Sequence, residues 1–384
     1  MPSTRTWDIF CTVVDNYGDI GVCWRLARQL ATEHGYAVRL WVDDLASFAR
    51  ICPGIVPGRD AQRSHGVDVR WWREPFPALG PADVVVEAFA CNPPASYVAT
   101  MAERRPKPAW INLEYLSAEH WVQGCHALSS QHPSLPLVKY FFFPGFVAAT
   151  GGLLAEQGLA QARDRFQRST GEQARFWEAL GVGAPRAGEL QVSLFCYPHD
   201  GVAALLRAWA AGRTPVRCLV PEGTVPAALS AFFGAEHLAP GAILRKAGLE
   251  VGIFPFLDQD SYDRLLWACD LNLVRGEDSF VRAQWAARPL LWQIYPQKEG
   301  AHWPKLEAFL GLYCQGLPEQ AAAALVSFWR AWNKGDGTAV AAAWTGFWGH
   351  RLELQAHALR WAGHLARTGN LANNLAQFCE NLLK

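Results

Sequence analysis

Residues Trp7–Ala31, WDIFCTVVDNYGDIGVCWRLARQLA, decide the fold. Trp7 to Val14 is apolar and rich in β-branched and aromatic residues, the composition of a strand buried on both faces. Asp15-Asn16-Tyr17-Gly18 is turn chemistry. Asp19 stands at the N-cap position, and Ile20, Cys23, Ala27 and Leu30 then recur at helical spacing. A strand–turn–helix of this kind places ligands at the carboxyl end of its strand. Here the turn carries two carboxylates four residues apart, Asp15 and Asp19. They would repel a phosphate at the helix N-terminus, so the turn suits a cationic or proton-donating partner. Capping and an Asx turn explain one acid well and two less well. Two like charges in one turn call for a cation between them, which favours a catalytic or acceptor-binding role.

Working outward, 384 residues suit two α/β domains rather than one. With 51% hydrophobic and 18% charged residues, each half can bury a core. Net charge is zero and no run of Lys or Arg occurs, which argues against nucleic acid as a partner. Ten cysteines are scattered singly, with no C-x-x-C pair for a zinc ribbon or redox motif. No signal peptide and no apolar run of membrane-spanning length is present, so the expectation is a cytoplasmic protein with reduced thiols.

Further strands are expected at 37–42 (AVRLWV), 67–72, 83–88 (DVVVEA), 110–114 (WINLE) and 137–143. Strands alternating with crossovers imply a parallel, doubly wound sheet. A polar helical run over 160–180 leads into the breaker-rich GVGAPRAG, where we place the domain boundary. A second series follows: strands at 190–197, 216–220 and 249–257, a helix in DQDSYDRLLWACD, then strand, turn, helix and strand through DLNLVRGEDSFVRAQWAARPLLWQIYPQ. The expected organisation is a first domain over 1–184 and a second over 185–365. The closing helix, 366–384, carries Leu371, Leu375, Phe378 and Leu382 as an apolar stripe, and we assign it to the first domain.

In the second series, Arg275-Gly276-Glu277-Asp278-Ser279 joins a strand to a helix. Gly276 permits a sharp turn. Glu277, Asp278 and Ser279 sit where backbone N–H groups await an anion, and Arg275 could grip a phosphate bidentately. An ordinary capping turn remains the alternative. Phe195, Tyr197, Phe254, Phe256 and Tyr295 cluster at strand ends, where rings could stack on a base or sugar, although most aromatic residues in such a chain are core. Asp258-Gln259-Asp260 matches a metal-binding D-x-D triplet but precedes a helix that acids would cap, so no metal is expected. His132, His199 and His302 lack partners at ligand spacing and read as structural or surface residues.

These stretches also carry a resemblance. The run VVDNYGDIGVCWRLARQLA, FFFPGF with TGG, FPFLDQDSYDRLLWACDLNLVRGEDSFVRAQWA and PLLWQIYPQ closely resemble the bacterial protein-arginine rhamnosyltransferases that modify translation elongation factor P, the EarP family. The likeness runs from Trp7 to the C-terminal helix, with no departure at these motifs. It implies a GT-B fold, two Rossmann-like domains facing across a cleft. It also implies inverting transfer of rhamnose from dTDP-β-L-rhamnose to an arginine of elongation factor P, with neither metal nor cofactor. Carried over by position, Asp19 is the general base and Asp15 holds the acceptor guanidinium, while Glu277 resembles a residue needed for activity. Asn16, Tyr17, Gly18, Phe195, Tyr197, Phe256, Gln259, Tyr295, Arg275, Gly276, Asp278 and Ser279 fall at donor-binding positions.

The chemistry agrees with that assignment. Arginine is always cationic and its lone pairs are delocalised, so it is a poor nucleophile. One aspartate can pair with the cation while the other takes the proton. The alternatives are a GT-B glycosyltransferase with another donor or acceptor, and a dinucleotide-dependent oxidoreductase. The latter is disfavoured because no G-x-G-x-x-G follows the first strand.

Overall fold

The computed structural model describes residues 4–15, 17–235 and 238–384. The chain divides into two compact units, Met1–Gln157 with His364–Lys384, and Gly158–Gly363.

In the first unit the elements run β1 (Thr6–Cys11), α1 (Gly18–Thr32), β2 (Ala37–Val42), α2 (Leu45–Ile51), β3 (Ala61–Ser64), β4 (Val67–Trp71), β5 (Val84–Ala88), α3 (Ala95–Glu103), β6 (Ala109–Leu113), α4 (Trp121–Cys125), β7 (Ser129–Gln131) and β8 (Val138–Phe142). They form one eight-stranded sheet in the order β3-β4-β2-β1-β5-β6-β8-β7. The six inner strands pair in parallel, and β3 and β7 close the edges antiparallel. β1 therefore lies centrally, between β2 and β5. One side of the core packs Phe10, Trp41, Val85, Tyr97, Met101 and Trp110 together.

Asp8, fully buried in β1, is held by a bidentate bond from Arg39 (2.6 and 2.5 Å) and accepts from the Trp41 indole, the Tyr97 hydroxyl and the Ala82 amide. A buried carboxylate is tolerated on those terms, with its lone pairs satisfied and its charge matched. This acid is structural.

The second unit runs α5 (Leu159–Arg168), α6 (Thr170–Leu180), β9 (Leu190–Leu194), α7 (Asp200–Ala211), β10 (Val216–Pro221), α8 (Pro226–Phe233), β11 (Ile243–Lys246), β12 (Leu249–Phe254), α9 (Gln259–Ala268), β13 (Leu271–Arg275), α10 (Asp278–Trp285), β14 (Leu290–Gln293), α11 (Trp303–Tyr313), α12 (Glu319–Lys334), α13 (Gly337–Gly349) and α14 (Arg351–Thr368), whose last turns belong to the first unit. Its six-stranded sheet has the order β11-β12-β10-β9-β13-β14, parallel except for β11. Both sheets thus have the strand–helix alternation of Rossmann-like domains.

The first unit ends earlier than the sequence suggests, at 157 rather than 184. The expected helix over 160–180 is two helices, α5 and α6, with Ser169 capping the second by accepting from the Glu172 amide. Both carry large side chains into the second unit. Phe166 packs edge-on against Trp267, the Arg163 guanidinium reaches the Trp285 carbonyl, and Trp177 joins Leu219, Phe254 and Leu265 in the core. The glycine-rich GVGAPRAG is a loop inside a unit, not a linker between two.

The closing helix, α15 (Leu371–Leu382), groups with the first unit. Gln29 on α1 bonds Asn370, and the Asn374 amide bonds the Gly151 carbonyl. Phe378 packs on Tyr140 and Phe142. Gly152 of the TGG stretch has φ +78°, and a Cβ there would run into the Gly369 carbonyl. Only glycine allows that approach.

Among the described residues no helix is long and apolar enough to cross a membrane, and no group of His, Cys, Asp or Glu is arranged to hold a metal ion.

Candidate functional site

In the first unit, β1 stops at Cys11, three residues short of the expected strand, because the amides that follow are taken by side chains. Val13 N–H donates to Asp43 Oδ1 at 2.9 Å. Val14 and Asp15 N–H both donate to Asp19 Oδ2 at 2.8 Å. Asp19 is accordingly not the N-cap. That position belongs to Tyr17, which makes no side-chain cap, and Asp19 is the second residue of α1, only 3% exposed. Its carboxylate folds back to staple the incoming loop rather than forward to cap the helix. Asp15 arches over the turn: its carbonyl accepts from Gly18 N–H at 2.7 Å, and a Cβ on Gly18 would meet Asp15 Oδ2 at 3.0 Å. The structure therefore brings Asp15, Tyr17, Gly18 and Asp19 into one tight turn at the carboxyl end of the central strand. Asn16 lies outside the described residues.

Sequence reasoning missed Asp43, at the end of the neighbouring strand β2. Besides Val13 it accepts from its own neighbour Asp44 at 2.8 Å. Burial raises its carboxyl above the usual carboxylate range against those two amides. Asp44 instead caps α2, and the Ser47 hydroxyl and amide hold its carboxyl below that range. The signal was present in the sequence, since acids directly after a strand adjacent to β1 land beside its turn. The loop after β5, on the other side of β1, holds Phe89 and Ala90 in left-handed backbone (φ 57° and 54°). Phe89 stacks on Tyr115 at 4.4 Å, and Asn112 accepts from the Ala90 amide. Such strain in non-glycine residues concentrates at functional sites.

In the second unit the candidate residues form one network. Arg275, at the end of β13, lies with its guanidinium 4.3 Å from the Phe195 ring centre and 4.5 Å from that of Tyr197. Tyr197 meets Tyr295 edge-on at 5.6 Å, and Phe195 meets Phe256 at 6.4 Å. The backbone amide of Tyr197 is fixed by the Gln293 side chain at 2.7 Å. Gly276, with φ +61°, turns the chain into α10, and its carbonyl accepts from the Trp292 indole at 2.7 Å. Glu277 is the N-cap of α10 without a side-chain cap, Asp278 is its first residue, and the Ser279 hydroxyl donates to the Arg275 carbonyl. Gln259, buried at the start of α9, donates to Asp278 Oδ2 at 3.2 Å. One turn on, Arg282 pairs with Asp263 at 2.9 and 2.5 Å, locking α9 beside α10 in a buried ion pair. Asp258 spends its carboxylate as the cap of α9, accepting from Ser261. The first turn of α10 can offer backbone amides to an anion and Arg275 its charge, set against the Glu277 and Asp278 carboxylates at the same end.

His199, at the N-cap of α7, ends the loop that carries Phe195 and Tyr197. Both its ring nitrogens are buried without a partner among the described residues, and its ring stands edge-on to Trp332 at 4.3 Å. Burial lowers its pKa to about 4, with Asp200 opposing. An imidazole that resists protonation only when folded costs stability as the pH falls below its unfolded value of about 6.5, levelling off near the folded one. The protein should lose about 1–2 kcal/mol more stability between pH 7 and 5 than a His199→Asn variant does. Denaturant unfolding across that range measures it. Parallel curves for the two proteins would refute the assignment.

The family described as Elongation-Factor P (EF-P) rhamnosyltransferase EarP matches residues 7–380. A protein-arginine rhamnosyltransferase of Pseudomonas putida is 52% identical over 378 residues, 98% of this chain and 99% of that protein. One of Pseudomonas aeruginosa is 52% identical over 373 residues, 97% of this chain and 98% of its own. The solved structure giving the structural basis for EarP-mediated arginine glycosylation of translation elongation factor EF-P has a TM-score of 0.72 at 39% identity, covering 98% of this chain and 99% of that one. Acinetobacter baumannii MurG, at 10% identity and a TM-score of 0.50 over 99% of this chain and 100% of that one, is alike in fold alone. The architecture is GT-B, a pair of Rossmann-like domains. The chain belongs to the EarP family of EF-P rhamnosyltransferases.

Proposed function

We propose that this protein transfers rhamnose from dTDP-β-L-rhamnose to one arginine side chain of elongation factor P, inverting the anomeric carbon, without a metal or a resident cofactor. Family membership supports the reaction class and the protein acceptor. The observation that carries the mechanism is the buried Asp19 carboxylate, one oxygen of which is pinned by the Val14 and Asp15 amides. Two amide donors fix the orientation of the group that acts on the acceptor.

A guanidinium nitrogen attacks C1 of the sugar while the bond from C1 to the diphosphate oxygen breaks. The electron pair leaves with the diphosphate, and the proton released from nitrogen passes to Asp19. Asp15 pairs with the guanidinium charge and so localises it away from the attacking nitrogen. Held rigidly, the two acids need no reorganisation as the bond forms. In the second unit the first turn of α10 with Ser279 receives the diphosphate, and Arg275 neutralises the charge that develops on it. Asp278 is steadied by Gln259 and shapes that turn, and Glu277 accepts from the ribose hydroxyls. Phe195, Tyr197, Phe256 and Tyr295 supply the apolar and stacking wall for the base and sugar. Asn16, Tyr17 and Gly18, in the turn after β1, are assigned to the nucleotide sugar by the family likeness alone.

The donor class is tested by thermal shift. At 100 times its dissociation constant dTDP should stabilise the protein by about 2.7 kcal/mol, and NAD at the same concentration by nothing measurable. Stabilisation by NAD without dTDP would favour a dinucleotide enzyme and end this reading.

A further inference from the structure

The two loops of the second site that carry Tyr197 and Arg275 are both tied to the end of β14, where the chain reads Trp292-Gln293-Ile294. The Trp292 indole donates to the carbonyl of Gly276, the residue after Arg275, at 2.7 Å, and its ring lies flat on Phe280 at 3.9 Å. Gln293 Oε1 accepts from the Tyr197 amide at 2.7 Å.

β14 is the last strand of its sheet and pairs with β13 alone. The outer edge of such a strand leaves alternate N–H and C=O groups without a neighbouring strand. Asn333, near the end of α12, stands in for it. Its Oδ1 accepts from the Ile294 amide at 3.0 Å, and its Nδ2 donates to the Trp292 carbonyl at 2.8 Å. Nδ2 also donates to the Trp329 carbonyl at 2.9 Å, one turn back on α12, which aims the side chain from its own helix. A residue that only filled space here would need neither donor nor acceptor. Trp332, beside Asn333, meets edge-on the ring of His199, which ends the loop of Phe195 and Tyr197. The last turn of α12 therefore backs both elements of the site.

We propose that Asn333 is a positioning residue for donor binding: it holds the end of β14 at the setting in which Trp292 and Gln293 place Arg275 and Tyr197 against each other. This role rests on the nucleotide-sugar reading of the site. Asn333 acts through Arg275, whose guanidinium lies 4.5 Å from the Tyr197 ring centre, and through that ring. When the strand end shifts, the guanidinium and the ring that holds it part, and a binding group displaced by about 1 Å loses much of its effect.

The test is a double-mutant cycle in dTDP affinity, by calorimetric titration of wild type, Asn333→Ala, Arg275→Ala and the double variant. Asn333→Ala should bind dTDP about 10-fold more weakly than wild type. In the Arg275→Ala background the same change should cost only about 2-fold, the part that passes through Tyr197. Wild-type affinity in Asn333→Ala would overturn the assignment. A loss of the same size in both backgrounds would also overturn it, because Asn333 would then steady the unit without placing Arg275. If Asn333→Ala does not fold, Asn333→Leu, closer in volume, takes its place in the cycle with the same expected and contrary results. Failure of both variants to fold would make the residue structural and end the proposal. Wild-type protein that binds no dTDP would overturn the donor reading itself, and this role with it.

Discussion

Asp19→Asn should lower turnover by about 10²–10⁴-fold, the usual contribution of a positioned general base. Asparagine has nearly the shape of aspartate, and its carbonyl oxygen can still accept from the Val14 and Asp15 amides that meet Oδ2 at 2.8 Å. The turn therefore keeps its form while the group loses its basic lone pair. The loss should fall on kcat, with KM for the acceptor little changed, because Asp15 still meets the guanidinium. Asp19→Ala is a poorer probe. It would strand two amides beside a buried position, at about 1–3 kcal/mol each, and confuse a collapsed loop with a missing base. Near wild-type turnover in Asp19→Asn would remove Asp19 from the chemistry.

Arg275→Ala should weaken dTDP binding by about 10–100-fold and lower kcat further, since each hydrogen bond to a charged group is worth about 1.5–3 kcal/mol. The guanidinium lies over two aromatic rings at 4.3 and 4.5 Å, and that stacking holds it in place before any anion arrives. Arg275→Lys should recover little, because an ammonium keeps the charge without the planar fork or the stacking surface. Titration with dTDP and steady-state kinetics against the donor measure both effects. A lysine variant equal to wild type would mean that charge alone matters at this position, and an alanine variant that binds dTDP normally would remove Arg275 from the diphosphate site.

The parts of this protein legible in its sequence are those where one physical demand dominates. Strands buried on both faces must be continuous apolar runs, and AVRLWV at 37–42 became β2 with the same limits. The antiparallel edge strands β3, β7 and β11 were missed, being three or four residues long and largely exposed or half-exposed, with no pattern to betray them. Asp19 was found as a residue but misplaced as a cap. Its carboxylate had a choice between helix amides ahead and loop amides behind, and that choice depends on the path of the loop. The boundary near 184 was misplaced because glycine and proline mark a turn without saying whether it joins two units. Phe166 and Trp177 decided that by packing into the second unit. Arg275 and the first turn of α10 were readable as an anion site. Its pairing with Phe195 and Tyr197, eighty residues upstream, required the strand order that sets β9 beside β13.

The central claim is that this chain places rhamnose on an arginine of elongation factor P with Asp19 as base. Its most direct test is intact-mass spectrometry of purified elongation factor P after incubation with the protein and dTDP-β-L-rhamnose. The factor should gain one deoxyhexose, mapped to a single arginine and lost when Asp19→Asn replaces wild type. No gain with the wild-type protein, or the same gain at the same rate with Asp19→Asn, would contradict it.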